Sequence, residues 1–269
     1  EPAWSADGER LIFAVNRRDD RLQVPNDTEL FELDLSTSDA EPRPLTDRRG
    51  PDRSPKVSPD GRYVAYAGFD DQFLGYQPAR LYLLDLQTGD RRALTDDFDR
   101  GIRDARWKGD GSGLFVSYDE EGDGKIAFLD LQGRVQNVAE GLGGTSIGRP
   151  YSGGSFSVSR VGEIAYTRGD AQAPADVVMV GAKGATERLT DLSSDLLAHR
   201  ELADVEEMWV ESSFDGRRVQ GWIAKPPGFD PAKKYPLILE IHGGPFATTA
   251  LGGPPRCSST PRPATWCST

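Results

Sequence analysis

Cysteine is nearly missing from this sequence. The two in 269 residues, Cys257 and Cys267, fall in the final stretch, so they give no disulfide framework and say nothing about redox compartment. Histidine is as scarce, with only His199 and His242. No uninterrupted apolar run approaches the roughly 18 residues of a membrane span, and no basic-then-apolar leader opens the chain; no membrane partner is expected. Positive charge is in deficit, with 32 Lys and Arg against 43 Asp and Glu, a formal net charge of −11. A phosphate backbone would be repelled by such a surface, so no nucleic-acid partner is expected either. What is plentiful is glycine (30) and proline (19), a turn-rich profile that fits many short strands better than long helices. Glu1, not Met, is first, and Glu1 to Val15 reads as the inside of a repeat, so an upstream portion is expected. A cytoplasmic location is favoured, with a leader upstream left open.

Self-similarity organises the first two hundred residues. Asp7-Gly8 precedes the apolar run Leu11 to Val15, Asp60-Gly61 precedes Tyr63 to Tyr66, Asp110-Gly111 precedes Leu114 to Ser117, and Val161-Gly162 precedes Ile164 to Thr167. The four glycines are 53, 50 and 51 residues apart. A second run follows each in phase, at Leu30 to Leu35, Leu81 to Leu86, Ile126 to Leu131 and Val177 to Val180. Three of these lead to Leu-Thr-Asp, at Leu45, Leu94 and Leu189. The arithmetic gives four strands per unit, the first two joined by an Asp-Gly turn that readily takes positive φ. A four-stranded unit stacked radially on its neighbours is a propeller blade. Residues 1–198 therefore read as about four blades of an incomplete β-propeller.

The pattern changes at Ser193 to Ala203, a short helical stretch that marks a domain boundary. A hairpin follows, Glu207 to Phe214 and Arg218 to Ala224 around Asp215-Gly216, and then a short apolar run, Leu237 to Ile241. That run has the length and β-branched content of a strand buried on both faces. It stops at His242-Gly243-Gly244-Pro245, where two glycines allow a tight turn with exposed amides. In α/β-hydrolases a loop of this kind supplies a backbone NH to the oxyanion of acyl transfer.

Phe214-Asp215-Gly216, Gln220-Gly221-Trp222, Lys225 to Phe229, Lys234 to Leu237 and His242 to Phe246 form an ordered set. With it the chain resembles the prolyl oligopeptidase family of serine peptidases, nearest its acylaminoacyl-peptidase and dipeptidyl-peptidase-like branch. The resemblance covers residues 1 to about 247. It implies a propeller capping an α/β-hydrolase domain, a Ser-Asp-His triad, a short peptide substrate and no cofactor or metal. It also implies that Gly244 donates an oxyanion-hole NH while Gly243 shapes the turn and His242 positions the loop. The triad itself is absent. Beyond Gly244 there is no G-x-S-x-G, no carboxylate and no histidine, so the chain is expected to be an inactive fragment. Leu251 to Thr269 has no strand or helix period, and a two-base shift of its back-translation can give a helix end and a buried strand. A frameshift near Thr248 to Gly252 is the expectation, the alternative being an authentic disordered tail.

Several features imitate sites. Gly144 to Gly148 matches G-x-S-x-G literally, but it lacks the strand before and the helix after that a nucleophile elbow needs. Asp119 to Asp130 has calcium-loop spacing between flanking strands rather than helices, and reads as an acidic hairpin. His199 is expected to be solvated. Glu206-Glu207 invites comparison with the acidic pair that grips substrate amino termini in dipeptidyl peptidases, but its place beside the first hydrolase strand does not match. The expected domains are 1–198 propeller, 199–250 the first strands of an α/β-hydrolase and 251–269 an aberrant tail. The competing reading is a non-catalytic propeller scaffold that binds a partner. Oligomeric state is not legible.

Overall fold

The computed structural model describes residues 2–144, 153–239, 241 and 266–268. The chain divides into two units, one of Glu1–Tyr118, Ile126–Val138 and Val158–Gly162, the other of Asp119–Lys125, Ala139–Ser157 and Glu163–Thr269.

Three four-stranded antiparallel sheets account for most of the first unit. They are β1 (Ala3–Trp4), β2 (Arg10–Val15), β3 (Glu29–Asp34) and β4 (Arg43–Pro44); β5 (Asp52–Val57), β6 (Tyr63–Gly68), β7 (Arg80–Asp85) and β8 (Arg91–Ala93); and β9 (Asp104–Trp107), β10 (Gly113–Glu120), β11 (Asp123–Asp130) and β12 (Val135–Ala139). Strands in each sheet lie in chain order, so every link is a hairpin. The repeated glycines are there for backbone reasons: Gly8, Gly61, Gly111 and Gly162 all have φ between +71° and +87°, a region that side chains with a Cβ rarely enter.

The Leu-Thr-Asp repeat has an equally local cause. At the end of the fourth strand the Thr46 hydroxyl accepts the Leu30 amide at 2.9 Å, while the Leu45 amide donates to the Leu30 carbonyl at 2.8 Å. Thr95 does the same for Leu81 at 2.9 Å, and Thr190 for Val177 at 2.8 Å. Each threonine thus satisfies an amide that the short fourth strand cannot reach.

Packing inside the first unit follows from the two-residue period of the strands. Ile12 and Leu30 of the first sheet meet Val64, Tyr66 and Leu84 of the second. The opposite face of the second sheet, with Ala65, Leu81 and Leu83, meets Leu114, Val116, Ala127 and Leu129 of the third. The middle sheet is therefore apolar on both faces, as the run Val64-Ala65-Tyr66, buried throughout, requires.

The second unit contains a fourth antiparallel sheet, β13 (Phe156–Val158), β14 (Ile164–Arg168), β15 (Asp176–Val180) and β16 (Thr186–Arg188), again in chain order. The chain is thus mainly β, with four four-stranded antiparallel sheets resembling propeller blades. The helix expected over Ser193 to Ala203 is confined to α1 (Ser194–Leu197), which buries none of its side chains and so gains nothing from further turns. Beyond it lie β17 (Asp204–Glu211), β18 (Arg218–Lys225), β19 (Leu237–Leu239) and β20 (Trp266–Ser268), a fifth sheet of different design.

Candidate functional site

The fifth sheet has the order β17-β18-β20-β19, so the chain does not simply fold back strand by strand. β17 and β18 form an eight-pair antiparallel hairpin from Asp204↔Lys225 to Glu211↔Arg218. β18 is antiparallel to β20, and β19 is parallel to β20 with Leu237↔Trp266, Ile238↔Cys267 and Leu239↔Ser268. Parallel neighbours cannot be joined by a tight turn and need a long crossover, usually helical. In the sequence, residues 240–265 separate the two strands. Trp266–Ser268 pairs as a strand although the tail has no strand period in its sequence.

Residues carrying the family resemblance meet at the approach to β19. The Tyr235 hydroxyl accepts the Asp230 amide at 2.9 Å, and its ring lies 5.1 Å from Phe229. Lys225 Nζ sits 5.7 Å from the Phe229 ring centre and pairs with Glu206. The segment from Pro226 to Tyr235 is thereby folded on itself ahead of β19. Trp222 is 6% exposed and anchors β18. Strand β19, expected to run to Ile241 and to be buried on both faces, is three residues long and exposed, with Leu237 at 66% and Leu239 at 64%. One parallel neighbour supplies backbone bonds, but nothing described covers either face.

His242, Gly243 and Gly244, the expected oxyanion-loop residues, lie outside the described residues, as do Ser146 of the G-x-S-x-G imitation and residues 251–265 of the tail. By sequence His242, Gly243 and Gly244 follow shortly after β19. Glu206 and Glu207 are engaged within the hairpin: Glu206 by Lys225, and Glu207 by Trp209 Nε1 at 2.5 Å and Gln220 Nε2 at 3.1 Å. His199 is exposed in the turn after α1. The calcium-like spacing lies along the β10–β11 hairpin, where Asp123 and Asp130 of the spacing, and the adjacent Glu120, take protein partners. Lys125 Nζ is 2.7 Å from Glu120, the Gly141 amide donates to Asp123 at 3.1 Å, and Arg134 Nε is 2.6 Å from Asp130. Among the described residues no group of three or more His, Cys, Asp or Glu is placed to hold a metal ion, and no helix is long and apolar enough to cross a membrane.

Two contacts within the second unit were not legible in the sequence. Gln220 Nε2 donates to the Glu121 carbonyl at 2.8 Å, and Gln172 Nε2 to the Ala203 carbonyl at 2.9 Å. Both join a connection between the second and third strands of a blade-like sheet to the fifth sheet or its entry. The pairs are 99 and 31 positions apart, and the only signal was that Gln220 lies in the Gln-Gly-Trp motif.

No family model matches the chain. Among curated proteins it is 26% identical over 253 residues to dipeptidyl-peptidase 5 of Porphyromonas gingivalis, covering 92% of this chain and 35% of that protein. To dipeptidyl-peptidase 5 of Schizosaccharomyces pombe it is 23% identical over 243 residues, covering 88% and 33%. The chain thus spans about a third of the length of these relatives. Among solved structures, the acylaminoacyl peptidase of Pyrococcus horikoshii superposes over 100% of this chain and 39% of its own, with a TM-score of 0.73 at 19% identity, a likeness of fold. These similar proteins are peptidases of the prolyl oligopeptidase family, at low identity and with partial coverage.

Proposed function

We propose that the chain is a segment of a serine peptidase of the prolyl oligopeptidase family that cleaves short peptides through an acyl-enzyme. Its parts are propeller blades over residues 1–198, the opening strands of an α/β-hydrolase domain over 199–250, and a tail, 251–269, out of frame with the rest of that domain. One observation supports this reading: the antiparallel hairpin β17–β18 leads through the Phe229–Tyr235 turn to the apolar strand β19, and the glycine pair comes next in the sequence.

In the parent enzyme a serine encoded downstream attacks the peptide carbonyl. The Gly244 amide then donates to the oxygen as it becomes an anion, a contribution of about 3 kcal/mol to the barrier. Gly243 makes the turn that exposes that amide, and His242 holds the strand end. The chain has no nucleophile elbow after Gly244 and no acid or base partner there, so it does not turn over substrate by itself. The fold alone does not choose between dipeptidyl and acylaminoacyl specificity.

The test is labelling with a fluorophosphonate probe. A full-length protein carrying these 250 residues in frame with a hydrolase remainder labels on one serine, and the 269-residue chain does not. A well-folded full-length protein that fails to label overturns the assignment and leaves the binding-scaffold reading.

A further inference from the structure

Two carboxylates and a single hydroxyl proton converge where the first two sheets of the first unit meet. Thr46 Oγ1 already accepts the Leu30 amide, and its hydroxyl donates to Glu29 Oε2, at the start of β3. Asp52, the first residue of β5, faces the same hydroxyl and is completely buried. Its Oδ1 pairs with Arg48 Nη2, whereas its Oδ2 has no hydrogen-bond partner. The Asp52 main chain joins the sheets, its amide donating to the Thr28 carbonyl at 2.8 Å and its carbonyl accepting the Thr28 hydroxyl at 3.1 Å. Glu29 also receives the Arg48 main-chain amide, but the one hydroxyl hydrogen of Thr46 cannot serve both Glu29 and Asp52, and a buried anionic oxygen without a donor, as Asp52 Oδ2 would be, is costly.

The surrounding charges do not relieve the conflict. Asp27, on the segment entering β3, adds a third carboxylate and is held by the Gly50 amide at 3.0 Å and by Arg18 at 3.0 Å. Arg48 is committed to Asp52 and lies 4.1 Å from the centre of the Tyr82 ring. Arg91, on β8, pairs with Asp47 at 2.7 Å, and Asp70 pairs with Arg48 on its solvent side at 3.4 Å. Tyr66 and Tyr82, stacked at 5.4 Å, form the wall from β6 and β7, and both phenols are pushed up by burial.

We infer that Glu29 and Asp52 hold one proton between them around Thr46 Oγ1, and that losing it loosens the seam between the first and second sheets. Burial, with repulsion from Asp52 and Asp27, pushes Glu29 up to about 7, and burial also raises Asp52. The fourth sheet provides an internal comparison. There Thr190 Oγ1 donates to Asp176 at 2.8 Å, but Arg188 and the Leu192 amide also reach that carboxylate, which is held below its usual range. The same threonine device thus sits on an anion in the fourth sheet and on a protonated pair in the first. For Glu29 the folded value lies above the unfolded one, so its contribution is complete below about 4.5 and is lost as pH rises through about 7.

Hydrogen exchange followed by mass spectrometry on the 269-residue chain, corrected for the intrinsic pH dependence of exchange, tests this. Between pH 5 and pH 8.5, segments 28–32 and 44–54 lose protection and the melting temperature falls by several degrees. Glu29→Gln abolishes both changes, and Thr46→Ser, which keeps the hydroxyl, retains them. Should Glu29→Gln not fold, a carbon-13 carboxyl titration of the unmodified chain decides. A Glu29 midpoint near 7 supports the inference. An ordinary midpoint near 4.5, or a Glu29→Gln protein that keeps the original pH slope, overturns it.

Discussion

The hairpin β10–β11 of the third sheet and the hairpin β17–β18 of the fifth are each built from two strands of eight residues, but their fates differ. Gly113 to Tyr118 are buried without interruption, whereas in β17 every residue but Val205 is exposed. The strands do not differ in their ability to pair; they differ in having a neighbour to pack on. The third sheet lies on Ala65, Leu81 and Leu83 of the second, while the fifth leaves Met208, Val210, Val219, Leu237 and Leu239 uncovered. A blade borrows its core from the next blade. The fifth sheet, with a parallel pair and apolar residues on both faces of β19, is suited to covering layers of another kind.

The sharpest way to break this contrast is to truncate one apolar side chain in each sheet. Leu114→Ala, at a fully buried position, is expected to cost about 2–5 kcal/mol in urea unfolding, and Val219→Ala, half exposed, to stay within about 0.5 kcal/mol. Equal costs would mean that the fifth sheet has a core of its own.

Glycines sharpen it next. A Cβ at Gly68 would run into Arg48, the Pro51 carbonyl and Asp52, whereas one at Gly221 meets only Met208 Cγ at 3.8 Å. Gly68→Ala is expected to destabilise by about 1–3 kcal/mol and Gly221→Ala to be neutral or slightly stabilising, as read from melting curves.

Smaller still is the effect of removing a strand-end hydroxyl. Thr95→Val leaves the buried Leu81 amide without its acceptor, at a cost of about 1–2 kcal/mol. The fifth sheet has no equivalent threonine among its described residues, so exchange in β17 and β18 is expected not to change.

The gentlest perturbation is pH, and it should act in opposite directions on two threonine sites. Asp176 is held low, by Thr190 first, then the Leu192 amide and Arg188. Its contribution is present above the unfolded value of 3.8 and is lost as pH falls. Asp176→Asn should flatten the acid limb of a stability profile, and Glu29→Gln the limb that descends toward neutral pH.

How much of this was legible depended on how local its cause is. The Asp-Gly turns and the Leu-Thr-Asp ends were readable because each is decided within one sheet, by a glycine φ or by one hydroxyl and one amide. The blade-like sheets followed from their period. What could not be read is set across distance: the Gln220 bond to Glu121, and the meeting of Glu29 with Asp52 across a sheet seam. The spacing at Ser193 to Ala203 predicts a longer helix than forms, because α1 buries none of its residues, Leu196 being 58% exposed. At the candidate site the approach through Phe229, Tyr235 and β19 is in place, and the roles of His242, Gly243 and Gly244 remain proposals that rest on their position after β19.

The proposed function makes β17 to β19 the opening strands of a catalytic domain whose covering layers are missing here. It is tested most directly by measuring backbone hydrogen exchange over residues 204–225 and 237–239 in the 269-residue chain and in a full-length protein that contains it. Fast exchange is expected in the chain, and strong protection, comparable to that of β10 and β11, in the longer protein. Strong protection of the fifth sheet in the 269-residue chain alone would contradict it.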